Sequence, residues 1–251
     1  MRKFGLIGYP LGHSFSKKYF SEKFVREGIQ GCQFELYPIE SISEFPQLLD
    51  SESSLEGLSV TIPYKEQVIP YLDALEPACA QIGAVNCIRV QDGIKTGFNT
   101  DYLGFKHSLQ SWLGTEIPNA LVLGTGGASK AVQQALRDLE VPYRIVSRTQ
   151  QEGQLTYADL KEQPEWLASH SLIINTTPLG TYPQVEDLPN IPLEQLHAAH
   201  RVYDLVYNPA VTKFLEKGAA QGATTQNGLE MLHLQADASW AIWNSDTPFQ
   251  Q

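Results

Sequence analysis

The run Gly-Thr-Gly-Gly-Ala-Ser at residues 124–129 indicates phosphate-binding chemistry more clearly than any other part of the sequence. An apolar, strand-like run that ends at Leu123 precedes it, and a helical stretch over 128–139 follows. Glycines in such a turn let the backbone approach a pyrophosphate, whose charge is stabilised by the helix N-terminus. The residues predicted to bind a dinucleotide are Gly124, Gly126, Gly127, Ala128 and Ser129. Because Ser129 stands where the usual pattern has a third glycine, a glycine-rich turn without a ligand remains an alternative.

The end of the next strand-like run, 143–147, bears on the choice of dinucleotide. An NAD site usually has an acidic residue there, which accepts a hydrogen bond from the ribose 2′-hydroxyl. In this chain the residues are Ser147, Arg148 and Thr149. A guanidinium suits a 2′-phosphate, and no carboxylate repels it. A lone arginine after a strand is more often solvated, but its place about 20 residues past the glycine turn favours NADP, bound by Arg148 and Thr149.

Polar residues in the first part of the chain are less specific taken singly. Ser14 and Ser16 stand before a helical stretch over 18–26, where one serine could cap the helix or both hydroxyls could bind a carboxylate. Lys65 follows a strand-like run over 57–62, and a solvated amine is the usual fate of a lysine. Asp101 precedes a helical stretch over 102–113, where it could simply be the N-cap.

The elements that must position these residues alternate between strands and helices. Strand-like runs at 4–8 and 57–62 and a hairpin over 85–98, with Asp92-Gly93 as its turn, make up the first part. Buried-type strands follow at 119–124, 143–147, 171–175 and 201–205, and a long apolar-rich helix covers 228–243. Strands that alternate with helices indicate a parallel sheet with right-handed crossovers. The sequence therefore predicts two α/β domains.

Composition excludes several classes of protein. The 251 residues are 42% hydrophobic and 18% charged, as in an ordinary globular protein, and the net charge of −10 argues against nucleic acid as a partner. No stretch approaches the roughly 20 apolar residues of a membrane span, and the N-terminus does not fit a signal peptide. The three cysteines have neither disulfide nor zinc spacing. We expect a cytoplasmic protein without a metal, a monomer or a homodimer.

Taken together, the polar residues occur in an ordered set of motifs that resembles the shikimate dehydrogenase family along essentially the whole chain. The motifs are His13-Ser14-x-Ser16, Val60-Thr61-x-Pro63-x-Lys65, Gly83-Ala84-Val85-Asn86, Asn99-Thr100-Asp101, Gly124-x-Gly126-Gly127-Ala128-Ser129, Arg148-Thr149, Asn175-x-Thr177-Pro178-x-Gly180, Tyr203-Asp204-x-x-Tyr207 and Gly228-Leu229-x-Met231-Leu232-x-x-Gln235. The resemblance implies an N-terminal α/β substrate domain (1–101 with 228–251), a Rossmann-type parallel-sheet NADP domain (102–227) and a C-terminal helix that returns to the first domain.

The resemblance also implies a reaction, the reversible reduction of 3-dehydroshikimate to shikimate with NADP(H) in the pathway to chorismate and the aromatic amino acids. In that family the proton transfer belongs to the residues that are Lys65 and Asp101 here, and Gly228 and Met231 lie against the nicotinamide. The substrate carboxylate is held by Ser14, Ser16 and Tyr207. The substrate hydroxyls are bound by Thr61, Asn86, Asp101 and Gln235.

Two departures from the family pattern stand out. Ser59 replaces the usual asparagine two residues before Thr61 and loses an amide that can donate and accept hydrogen bonds. Glu152 occupies the position, four after Arg148, where the family commonly has a second basic residue, so the preference for NADP is expected to be weaker than usual. Alternatives at this point are a quinate or quinate/shikimate dehydrogenase, a reductase of similar fold such as a methylenetetrahydrofolate dehydrogenase, and a catalytically silent ligand-binding protein.

Overall fold

The computed structural model describes residues 1–12 and 15–245, and the chain divides into two compact units. One unit comprises Met1–Thr100 with the segment from Gln235 onward, and the other comprises Asp101–Leu234. The predicted division into a substrate domain and an NADP domain, with limits after residues 101 and 227, is a division by function and remains a prediction. In the described parts of the chain, no helix has both the length and the apolarity needed to cross a bilayer.

The first unit is built on a mixed sheet. Its elements are β1 (Arg2–Ile7), α1 (Phe15–Arg26), β2 (Cys32–Tyr37), α2 (Phe45–Ser51), β3 (Leu55–Val60), β4 (Ala74–Leu75), α3 (Pro77–Ile82), β5 (Cys87–Gln91) and β6 (Ile94–Phe98). The strand order is β2-β1-β3-β5-β6-β4. β1 pairs in parallel with both β2 and β3, whereas β5 pairs antiparallel with β3 and β6.

The second unit is built on a parallel sheet. Its elements are α4 (Thr100–Leu113), β7 (Ala120–Leu123), α5 (Gly127–Asp138), β8 (Tyr143–Ser147), β9 (Leu155–Thr156), α6 (Tyr157–Glu162), α7 (Glu165–Ser169), β10 (Leu172–Asn175), β11 (Arg201–Asp204), α8 (Lys213–Ala220), β12 (Thr224–Asn227) and α9 (Leu229–Trp243). Thr100 and the part of α9 from Gln235 belong to the first unit. The order β12-β11-β10-β7-β8-β9, with every pairing parallel, is that of a doubly wound dinucleotide-binding sheet. The predicted α/β class is confirmed.

The β5–β6 hairpin has the turn that its sequence predicts. Asp92 and Gly93 have φ values of 52° and 79°, both in the left-handed region that a two-residue type I′ turn requires. The turn sets Cys87 opposite Phe98, and the chain then enters α4. The hairpin therefore brings Asn86, just before β5, beside the start of α4.

Aromatic side chains join α9 to the sheet of the first unit. The Trp243 ring stacks on Phe4 with 5.1 Å between centroids, and its indole nitrogen donates to the Ile88 carbonyl at 3.0 Å. A Cβ on Gly57 would come within 2.4 Å of the same indole, so only glycine lets the ring lie on β3. This contact fixes the end of α9, and hence the position of Gln235 two turns earlier.

Three buried polar residues support the carboxyl edge of the parallel sheet. Asp204, at the end of β11, accepts hydrogen bonds from Thr212 Oγ1 at 2.6 Å, from Asn175 Nδ2 at 2.9 Å and from the Val206 amide at 3.1 Å. Asn175 ends the neighbouring strand β10. Burial nevertheless raises the pKa of Asp204 from its ordinary 3.8 to about 6, because desolvation of the carboxylate outweighs the three hydrogen bonds.

This pKa predicts a pH-dependent effect of Asp204→Asn on stability. Between about pH 4 and pH 6 the folded state keeps a proton that the unfolded state has lost, so the side chain's contribution to stability falls as pH rises and is constant above pH 6. Asparagine keeps an oxygen for the two contacts that Asp204 Oδ1 accepts, presents an NH₂ group to Thr212 Oγ1 in place of the third, and cannot ionise. The free energy of unfolding of the variant, relative to the natural chain, should therefore rise by up to roughly 3 kcal/mol from pH 4 to pH 7, measured by urea denaturation.

Asp159→Asn is the matched control. The Thr156 amide and hydroxyl both donate to the Asp159 carboxylate and lower its pKa, so this variant should lose stability relative to the natural chain as pH rises. A difference for Asp204→Asn that stays constant with pH would show that Asp204 does not hold its proton above pH 4.

Candidate active site

The glycine turn lies where the strand order of the parallel sheet reverses, between β7 and β10. Gly124 has a φ of 111°, and a Cβ there would come within 2.8 Å of Thr176 Oγ1. A Cβ on Gly126 or Gly127 would meet nothing within 4 Å, so open space lies in front of the N-terminus of α5. Gly126 caps α5 without a side-chain hydrogen bond. The turn therefore offers backbone N–H groups to an anion, and it fits a dinucleotide pyrophosphate.

Ser129, in place of the third glycine, closes this turn. Its side chain is fully buried, and its hydroxyl donates to the Gly124 carbonyl at 2.8 Å and accepts from Gln133 Nε2 at 3.0 Å. The hydroxyl therefore stabilises the turn from within the protein. The amides at this end of α5, those of Ala128 and Ser129 included, are thereby left as the groups of this turn that fit an anionic ligand.

The loop after β8 carries the residues predicted to select NADP. Arg148 and Thr149 are exposed, and the Thr149 amide donates to Ser147 Oγ at 3.2 Å. No helix occurs in the described stretch between β8 and β9, in line with the shortened polar segment of the sequence, and Glu152 is exposed there. Burial raises the pKa of Tyr157, and the positive charge of Arg148 lowers it. The Arg148 guanidinium is therefore near enough to Tyr157 to interact with it electrostatically.

Close backbone contact explains the glycine at residue 228. A Cβ there would lie 2.0 Å from the Leu205 carbonyl oxygen, and the Gly228 amide donates to the Val206 carbonyl at 3.2 Å. Gly228 therefore adjoins the segment that leads to the partly exposed Tyr207. Met231 is buried in the first turn of α9.

In the first unit, two of the predicted substrate-binding residues meet at Thr100. Asn86 Oδ1 accepts from the Thr100 amide at 2.6 Å and from its hydroxyl at 3.2 Å. Thr100 Oγ1 also lies 3.4 Å from Gln235 Oε1 and 3.0 Å from Ser239 Oγ. The sequence motifs assign no role to Thr100 or Ser239. The sequence signal that could have pointed to Ser239 is its position one helical turn after the predicted substrate-binding residue Gln235.

Other predicted residues belong to the start of α1 and to the segment that follows β3. Ser16 lies inside the first turn of α1, which begins at Phe15, so Ser16 does not precede the helix as a capping serine would. Ser14 is outside the described residues. Thr61 directly follows β3, and its amide donates to the Ile7 carbonyl at 3.0 Å. Lys65 is half-buried, and its carbonyl accepts from the Val85 amide at 2.7 Å, which ties it to the segment that carries Asn86.

Asp101 lies inside a helix rather than before one. α4 begins at Thr100, so Asp101 is in its first turn and does not take the N-cap position that the alternative required. A carboxylate in the first turn is favoured by the helix dipole. Lys65 belongs to the first compact unit and Asp101 to the second.

Comparison with known proteins agrees with the motifs. A model of the shikimate dehydrogenase substrate binding domain matches residues 6–88. The chain is 33% identical to shikimate dehydrogenase (NADP(+)) of Methanosphaera stadtmanae, over 97% of this chain and 92% of that protein. It is 35% identical to the protein of the same name from Geobacillus kaustophilus, over 98% and 93%.

A solved structure shares the fold. Shikimate 5-dehydrogenase from Thermus thermophilus, in complex with NADP(H) and shikimate, aligns with a TM-score of 0.85 and 29% identity, over 99% of this chain and 95% of that one. Identity above 30% over nearly the full length, together with the common fold, leads to one conclusion: the chain belongs to the shikimate dehydrogenase family.

Proposed function

We propose that the chain is an NADP-dependent shikimate dehydrogenase of the cytoplasm, which reversibly reduces 3-dehydroshikimate to shikimate. The observation that carries this function is the likeness over 97% of the chain to relatives named shikimate dehydrogenase (NADP(+)). The substrate is a small molecule, and the reaction is an oxidoreduction at a CH–OH group.

The cofactor would be held by the glycine turn and the loop after β8. The N–H groups at the start of α5 face open space beside Gly126 and Gly127 and would bind the pyrophosphate. Arg148 and Thr149 would bind the 2′-phosphate, and Gly228 and Met231 would lie against the nicotinamide. When bound, NADPH supplies the hydride that reduces the carbonyl carbon.

The proton for the carbonyl oxygen is assigned to Lys65. A cationic amine beside that oxygen donates the proton and stabilises the developing alkoxide. Asp101 is assigned to orient this amine and to accept a hydrogen bond from the adjacent substrate hydroxyl. The fixed backbone of Lys65, bonded to Val85, supports its assignment because a catalytic group must be held in one place.

The remaining residues would bind the substrate. Ser14, Ser16 and Tyr207 are assigned to its carboxylate, and Thr61, Asn86 and Gln235 to its hydroxyls. Asn86 is suited to this because the Thr100 amide already engages its Oδ1 and so leaves Nδ2 on the opposite side of the amide. Ser59 is too short to take the place of the asparagine usual there, so a water would bridge that gap.

A single set of assays tests the function. Shikimate and quinate are each oxidised with NADP and with NAD, and the absorbance of the reduced cofactor is followed. We expect the highest kcat/KM for shikimate with NADP. A higher value for quinate would identify a quinate dehydrogenase instead, and the lack of turnover with every pair would indicate a ligand-binding protein.

Lys65→Ala is expected to lower kcat for shikimate oxidation by roughly 10²–10⁴-fold, the usual effect of losing a general acid or base. Shikimate should still bind, as measured by calorimetry, because the substrate contacts remain. Lys18→Ala is the matched control: Lys18 is an exposed lysine of α1, 3.9 Å from Glu22, and its loss should leave kcat within about twofold. A near-normal kcat for Lys65→Ala would remove this residue from the chemistry.

Arg148→Ala is expected to erase most of a clear but incomplete preference for NADP. A charge-assisted contact to a phosphate contributes about 1.5–3 kcal/mol, or roughly ten- to a hundredfold in affinity, before repulsion by Glu152 is subtracted. NADP should therefore bind more weakly while NAD is little affected, and Glu152→Lys should enlarge the preference. The measurement is kcat/KM for both cofactors in each protein.

The matched control for the cofactor prediction is Arg144→Ala, which removes the same charge from an exposed position on β8. It should change kcat/KM for the two cofactors by the same small factor. Equal losses for NAD and NADP in Arg148→Ala would mean that Arg148 holds the adenosine or the fold and that the phosphate site lies elsewhere.

A further inference from the structure

Ser239 is a buried serine on α9 to which the proposed mechanism gives no role. Its side chain is 1% exposed. Its hydroxyl oxygen lies 2.9 Å from the Gln235 carbonyl oxygen and 3.0 Å from Thr100 Oγ1, so its one proton can be donated to either. We propose that Ser239 is a positioning residue, which acts through the Thr100 hydroxyl to orient the side-chain amide of Gln235 toward the substrate, beside an Asn86 amide that the Thr100 backbone already holds. The proposal rests on the substrate-binding roles assigned above to those two residues.

The orientation of Asn86 is fixed by a donor that cannot reverse. The Thr100 amide donates at 2.6 Å, so the atom it meets is the side-chain oxygen of Asn86, and Nδ2 lies on the other side of the amide. Asn86 and Thr100 are both nearly or fully buried. Because an unsatisfied buried polar atom is costly, this amide has one stable orientation.

The orientation of Gln235 depends on where the hydroxyl protons of Thr100 and Ser239 are donated. Thr100 Oγ1 has one proton and lies near three acceptors: Asn86 Oδ1 at 3.2 Å, Gln235 Oε1 at 3.4 Å and Ser239 Oγ at 3.0 Å. Ser239 Oγ also has one proton, which can go either to the Gln235 carbonyl or to Thr100 Oγ1. In the proposed arrangement it goes to Thr100, and the Thr100 proton is released for an amide oxygen. The contact to Gln235 is the longest of the three, so it is the first to fail when the Ser239 hydroxyl is removed.

The arrangement has a consequence for recognition. With both amide oxygens turned toward Thr100, the NH₂ groups of Asn86 and Gln235 point the opposite way, as donors. A substrate hydroxyl that meets either amide must therefore accept a hydrogen bond there and donate its own proton elsewhere. Ser239 and Thr100 thus set the hydrogen-bond polarity of this part of the site without contacting the substrate.

Steady-state kinetics of the full-length enzyme with shikimate and NADP test the proposal. Ser239→Ala should raise KM for shikimate roughly fivefold, the effect of one hydrogen bond, with kcat and KM for NADP little changed. In a Gln235→Ala background the same substitution should change KM for shikimate by less than twofold, because its target is gone. Thr100→Val, which has nearly the shape of threonine, should raise KM to a similar extent.

The control is Ser108→Ala, which removes another fully buried serine hydroxyl, bonded to Tyr203 and Glu230. It should lower the melting temperature and leave KM for shikimate unchanged. An equal rise in KM for Ser239→Ala with and without Gln235, or a lower melting temperature with unchanged KM, would overturn the proposal. Turnover of shikimate by the natural chain separates these outcomes from a failure of the proposed function, since without turnover both proposals fall.

Discussion

The hydrogen bond from the Thr100 amide to Asn86 Oδ1, at 2.6 Å, is the contact on which the first unit's polar site depends. It satisfies one of the N–H groups that the start of α4 leaves without a helical partner. It also joins the segment before β5 to the helix that carries Asp101. Thr100 then extends the junction to α9 through its hydroxyl, which lies near Gln235 and Ser239. One residue thereby connects three segments that are far apart in the sequence.

The N-termini of α4 and α5 have the same N–H groups available for a hydrogen-bond acceptor, but the two helices use them differently. Both expose N–H groups and the positive end of a helix dipole. At α4 the chain supplies its own acceptor, Asn86, and so gains a fixed side chain. At α5 the cap is Gly126, which has no side chain to accept a hydrogen bond from the helix, and the Ser129 hydroxyl is turned back to Gly124. The electrostatic stabilisation that a side chain would have supplied at α5 is left for a bound phosphate.

Much of the second unit could be predicted from sequence because buried parallel strands are continuous apolar runs; β8 was predicted to the residue, and β10 and β11 within one. The polar strand β12, Thr-Thr-Gln-Asn, has no such signal and is a strand only because it pairs with β11. In the site, the motifs supplied the candidates, but Ser239 was missed. Its partner Thr100 lies 139 residues away in the sequence, and no local pattern encodes a contact at that separation.

The net charge of −10 sets a further condition on the proposed site, since an acidic protein must bind an anionic cofactor. At physiological ionic strength charges interact appreciably only within about 8 Å, so distant carboxylates have little effect on affinity. In the proposed site the balance near the phosphates matters: the N-terminus of α5 would attract the pyrophosphate, and Arg148 and Glu152, in one exposed loop, would act on the 2′-phosphate in opposite directions. The pyrophosphate is common to NADP and NAD, so in the proposed site the helix would contribute to the affinity for both, and the loop would decide between them.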